Sequence, residues 1–298
     1  MEQAPPPPER LDLAPPPGEP QPAWPPWFAF AGFVAALVCT SIAVIVILAV
    51  AGVDAADDES SATTVVATLV QGIFFVGVAL VLARSIAPPR PWHFGLRGAP
   101  LWRTVGFAAL GMLAFYVLTA VYAVIVDPQA EQDVTDSLGA GDGTLGLIAA
   151  GTMVIVVAPF VEELFFRGFF YRALRTRYSI VLAALIDGVI FGLIHFGFEG
   201  ADGLLILPPL AFLGVIFCLV YEITKSLWAV IGMHAFNNTV AFAAQTSDFD
   251  GWQVAVVLGP LMLIACVVLP RLLPGGPSPL PPAPANVGPG AQLSLPLQ

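Results

Sequence analysis

Eight polar side chains lie in stretches that are otherwise apolar: Glu162, Glu163 and Arg167 in one, Asp187 and His195 in the next, and His234, Asn237 and Asn238 in a third. An ionisable group in hydrocarbon is costly, so such groups mark a functional site or a buried pair. Glu163 and Arg167 stand at i and i+4 on one helix face, where they pair. Removing either partner leaves a buried charge, at a cost of about 3–5 kcal/mol, and Glu163 therefore reads as structural. Glu162 points about 100° away from its neighbour, with no obvious cationic neighbour on its own helix. It is the candidate general base. His234 and Asn238, again at i and i+4, aim an imidazole and an amide at one spot. Both can donate hydrogen bonds to an oxyanion formed when water attacks a peptide carbonyl. His195 is left to position that water with Glu162, while Asn237 points elsewhere, toward a neighbouring helix.

Asp187 needs a partner of matching depth. Counted along their helices at 1.5 Å per residue, Asp187 and Arg167 each lie about 12 Å from the cationic end. Arg167 is thus expected to bridge Glu163 to Asp187; the alternative is a protonated Asp187 bonded to a backbone carbonyl. On the same ruler Glu162 lies about 20 Å in, His195 about 24 Å, and His234 and Asn238 about 12 and 18 Å. Three helices converge near the middle of a membrane.

The chain that positions these groups is 57% hydrophobic and 11% charged over 298 residues, against roughly 25% charged in soluble domains. Uncharged stretches at 28–53, 62–83, 104–126, 143–161, 178–198 (broken by Asp187), 203–221, 226–247 and 251–270 each approach the ~20 residues that cross hydrocarbon as a helix. The expected fold is all-α and polytopic, with eight transmembrane helices. All 11 basic residues fall on one side of this arrangement, which places both termini in the cytoplasm. The opposite loops are acidic. The net charge of −10 argues against a nucleic-acid partner. The first stretch is too long and follows too acidic a leader for a cleaved signal. Cys39, Cys218 and Cys266 lie inside spans as apolar packing residues, and no disulfide is expected. Residues 1–27 and 274–298 are Pro-rich and are expected to be disordered tails around a membrane domain at 28–273. His93 sits in an Arg- and Pro-rich loop and does ordinary loop chemistry.

The three stretches resemble the motifs of the CPBP family, the CAAX prenyl endopeptidases and bacteriocin-processing enzymes also called the Abi family. EExxxR is Glu162-Glu163-Leu164-Phe165-Phe166-Arg167, FxxxH is Phe191-Gly192-Leu193-Ile194-His195, and HxxxN is His234-Ala235-Phe236-Asn237-Asn238. The resemblance covers about 143–244 and implies a membrane endopeptidase. In it, Glu162 and His195 activate water, and His234 and Asn238 form the oxyanion hole. Asp187 is outside the family pattern. Zinc held by Glu162, His195 and His234 is chemically possible, but there is no HExxH helix and Asn is a poor zinc ligand. Metal-free water activation is expected, with no cofactor. The substrate would be a peptide or membrane protein reached within the bilayer of a bacterial plasma membrane. The alternatives are a non-proteolytic scaffold or immunity-type binding protein of the same family, and a proton-coupled transporter, which the Asn238 geometry disfavours.

Overall fold

A computed structural model describes residues 22–53, 60–128, 134–196, 202–246 and 251–272. Eight main helices run through it: α1 (Trp27–Ala51), α2 (Ser61–Arg84), α3 (Leu101–Val126), α4 (Gly143–Leu174), α5 (Ile180–Leu193), α6 (Leu207–Thr224), α7 (Leu227–Gln245) and α8 (Trp252–Leu272). Among the described residues there is no strand. Six of these helices are long and apolar enough to cross a membrane, not the eight expected. α5 has 14 residues, about 21 Å at 1.5 Å per residue, because it stops at Leu193 instead of running on to 198. α7 has 19 residues, but His234, Asn237 and Asn238 lower its hydropathy. The protein is a multi-pass membrane protein. The expected disorder of 1–21 and 274–298 and most of the acidic loops lie outside the described residues.

α4 is the central helix. Phe165, Phe166, Phe169 and Phe170 are all fully buried, as expected of a helix apolar all round. Phe165 stacks on Phe75 of α2 at 4.4 Å between centroids. Two wide, π-type turns interrupt α4, at Met153–Val157 and Phe166–Tyr171. The first precedes Pro159, whose ring and missing N–H disturb the regular ladder.

α5 and α6 cross closely because glycine meets glycine. A Cβ on Gly214 would lie 2.7 Å from Gly188 Cα. One on Gly188 would lie 2.7 Å from Ala211 O and 2.8 Å from Val215 N. Both of these neighbours are backbone and cannot swing away. The Gly188–Gly192 pair in the sequence is therefore a packing device, the small-xxx-small pattern of membrane helices.

At the arginine-rich end the connections are knitted together. Glu222 of α6 accepts from Arg175 Nε at 3.0 Å, from Tyr171 Oη at 2.9 Å and from Lys225 Nζ at 2.8 Å. The 3-10 turn Pro91–Phe94 leads to Gly95, whose positive φ of 85° turns its carbonyl to accept from Leu227 N at 2.8 Å. The folded body also reaches back before residue 27. Trp24 is 1% exposed, with Arg172 Cζ 3.8 Å over its ring, and Arg172 Nη2 donates to Pro22 O at 2.9 Å.

Two outcomes test this packing. Gly188→Ala should destabilise the protein by about 1–3 kcal/mol, the usual cost of overpacking, seen as a lower unfolding midpoint in detergent. The second concerns His93, which is buried and whose Nδ1 accepts from Arg90 N at 3.2 Å. Burial, and then the charges of Arg172 and Arg90, push its pKa down from 6.5 to about 4. The neutral ring is the folded form, so its contribution is complete above pH 6.5 and is lost as pH falls toward 4. His93→Gln should flatten the pH dependence of stability in that window.

Candidate active site

The two helix faces of the Glu162-Glu163 pair serve different partners. Glu163 is fully buried, and its Oε1 accepts from Arg167 Nη1 at 2.9 Å. The same oxygen lies 2.9 Å from His234 Nδ1. A carboxylate can only accept, so Nδ1 carries the proton and the ring turns Nε2 the other way. The sequence gives the Arg167 contact through its i, i+4 spacing. The His234 contact, from a helix 71 positions on, leaves no such signature. Glu163 therefore orients a site residue as well as supporting the helix.

Arg167 has no exposed surface, and its guanidinium is held on every side. Its Nε lies 3.4 Å from Asp187 Oδ1, an ion pair without hydrogen-bond alignment. Its Nη2 donates to Gly214 O at 3.0 Å. Phe191 and Phe217 present ring faces at 4.4 and 5.1 Å, a favourable placement for a desolvated cation. Asp187 Oδ1 also accepts from Cys218 Sγ at 3.1 Å. Arg167 thus joins Glu163 to Asp187, well within the roughly 6 Å over which paired charges act strongly.

His195 lies just past the end of α5 rather than inside it. Its Nδ1 is 2.7 Å from Phe191 O, one of the carbonyls left without an intrahelical partner at a helix end. A carbonyl can only accept, so here too Nδ1 is the donor and Nε2 faces onward. Both outward nitrogens meet Glu162, whose Oε2 lies 3.9 Å from His195 Nε2 and 4.0 Å from His234 Nε2. Among the described residues Glu162 Oε2 has no hydrogen-bond partner. Phe191, the first residue of the second motif, packs on both rings at 4.9 and 5.8 Å.

The spacing bears on what can sit among these three groups. Two zinc ligands at about 2.1 Å and a tetrahedral angle are about 3.4 Å apart. Two groups each about 2.8 Å from one water, at a right angle, are about 4.0 Å apart. At 3.9 and 4.0 Å, Glu162 and the two rings leave room for a water between them. Among the described residues no group of three or more His, Cys, Asp or Glu has the arrangement of a metal site.

Asn238 faces α4. Its Nδ2 donates to Val154 O at 2.9 Å, and its Oδ1 accepts from Asn237 Nδ2 at 3.4 Å. Asn237 therefore braces its neighbour instead of tying α7 to another helix. An amide nitrogen has two N–H donors, and the Val154 bond uses one of them. Hydropathy cannot show a carbonyl presented by a wide turn, so this partner is invisible in the sequence.

The Arg167 network makes a quantitative prediction. Arg167→Ala leaves two buried carboxylates without their guanidinium and should cost about 3–5 kcal/mol. In an Asp187→Asn background the further loss should be markedly smaller, since coupled partners are not additive. Thermal unfolding of the four proteins in one detergent reads the coupling directly.

Residues 144–240 match the family described as type II CAAX prenyl endopeptidase Rce1-like. A relative in Bacillus subtilis (strain 168), named "Putative membrane peptidase YdiL", is 30% identical over 129 residues, which are 40% of this chain and 50% of that protein. The chain spans about half the length of this curated relative. No solved structure matches it significantly. The matched segment encloses Glu162, Glu163, Arg167, Asp187, His195, His234 and Asn238, together with the Val154 and Gly214 carbonyls that orient two of them. Through this segment the chain is similar to the Rce1-like type II CAAX prenyl endopeptidases.

Proposed function

We propose that the protein is an intramembrane endopeptidase that hydrolyses a peptide bond with a water activated by Glu162. The observation that carries this reading is the convergence of Glu162 Oε2 with the Nε2 atoms of His195 and His234 at 3.9 and 4.0 Å. In neutral rings both nitrogens are acceptors, as is the carboxylate, and facing acceptors need a donor such as water between them. Glu162 takes the water proton as the oxygen attacks the carbonyl, and His195 aligns the attack. The developing oxyanion is met by the second N–H of Asn238, beside His234, whose ring the Glu163 carboxylate holds in place through Nδ1. Glu162 then delivers its proton to the leaving amine. Every step uses side chains of this chain, and no metal is required. The family name of the matched segment and the peptidase name of the Bacillus relative agree with this chemistry.

The test compares new peptide termini in membranes of cells carrying wild-type protein and Glu162→Ala. Termini that vanish in the variant identify substrates; a phenotype that persists in Glu162→Ala with no dependent terminus would point to the scaffold reading instead. On an identified substrate the purified protein should lose about 10²–10⁴-fold in rate on Glu162→Ala and about 10²–10³-fold on Asn238→Ala. Exhaustive chelation should leave the rate unchanged. Stoichiometric zinc lost together with activity would replace the water-activating Glu162 by a metal mechanism.

A further inference from the structure

We infer that Pro159 is a positioning residue for Asn238: by withholding a main-chain N–H, it leaves the Val154 carbonyl to orient the Asn238 amide in the site. The argument starts in the wide turn Met153–Val157. There the Ala158 N–H bonds Met153 O, five residues back instead of four. In that register the next carbonyl, Val154 O, would take its donor from position 159. Position 159 is proline, which has no N–H. Inside a bilayer an unmet carbonyl costs several kcal/mol, and a side chain from a neighbouring helix is one of the ways it is met. Asn238 Nδ2, at 2.9 Å, supplies that donor.

The consequence reaches beyond satisfying one carbonyl. Val154 O can only accept, so it fixes which end of the amide is nitrogen. Asn237 Nδ2, at 3.4 Å from Asn238 Oδ1, holds the other end. With both ends set, the second N–H of Asn238 has one direction left to it. Wide turns of this kind recur at functional sites, and here the turn and the proline together aim a donor. This inference rests on the proposed hydrolytic role of Asn238 in the oxyanion hole.

The test supplies the missing N–H. In Pro159→Ala the main chain competes for Val154 O and releases the amide. The expected result is a folded protein whose kcat falls by about 10-fold or more, toward the Asn238→Ala level, with KM unchanged. Pro159→Ala should add no further loss in an Asn238→Ala background. Lactic acid in place of Pro159 installs a backbone ester, which also lacks the N–H but has no ring, and it should restore the wild-type rate. Full kcat in Pro159→Ala, additive losses in the double variant, or an inactive ester would each overturn the inference. The ester arm decides the matter if Pro159→Ala does not fold. A readout independent of catalysis separates this inference from the proposed function. The infrared band of a 13C=18O label at Val154 should move on Asn238→Ala when residue 159 is proline, and stay in place when it is alanine. Equal shifts in both backgrounds would overturn the inference even if the wild-type protein cleaves nothing.

Discussion

Arg167 is a cation with no exposed surface inside a bundle of apolar helices, and much of the site follows from keeping it there. The charge is tolerable only because α4 supplies Glu163, α5 supplies Asp187, α6 supplies a carbonyl at Gly214, and two phenylalanines supply ring faces. Desolvating such groups is expensive and each must find its partner, so the arrangement specifies geometry more than it adds stability. It fixes the rotation of α4 against α5 and α6, and with it the direction of Glu163. Since the same Glu163 oxygen holds His234 Nδ1, the network that anchors Arg167 also presets one imidazole of the site.

The close crossing of α5 on α6 belongs to the same constraint. Gly188 against Gly214 brings the two backbones near enough for Arg167 to reach the Gly214 carbonyl while its Nε faces Asp187 one position before Gly188. A side chain at either glycine would push α6 away and lengthen both contacts. Small residues at this crossing are therefore an electrostatic requirement as well as a packing one. In lipid, where apolar surface alone does not drive helices together, such contacts carry much of the association.

What the sequence shows and what it hides divide along physical lines. The helices, the buried acids and bases, and the partnership of Arg167 with Glu163 and Asp187 are legible because hydropathy, depth and i, i+4 spacing are properties of single helices. The end of α5 at Leu193 is not, because Ile194 and Phe196 keep the stretch apolar past the point where the helix stops. Nor is the second contact of Glu163, which depends on how α7 packs against α4. The length and hydropathy of α7 mislead for a related reason: a helix that carries His234, Asn237 and Asn238 inward looks less like a membrane span while being shielded by its neighbours. Trp24 was hidden by its company, since a lone tryptophan among prolines gives no periodic signal.

Main-chain carbonyls aim three of these side chains. Phe191 O sets His195, Val154 O sets Asn238 and Gly214 O helps to set Arg167. A carbonyl accepts and never donates, so it selects one tautomer of an imidazole and one flip of an amide, whereas a hydroxyl partner would permit two. The carbonyls at Phe191 and Val154 are presented where the helical ladder is interrupted, at the end of α5 and beside Pro159. Those interruptions are costly in hydrocarbon unless a side chain closes them. The side chains that close them, His195 and Asn238, are the ones the proposed hydrolysis would need held still, so the cost of breaking two helices is offset by donors and acceptors that are already oriented.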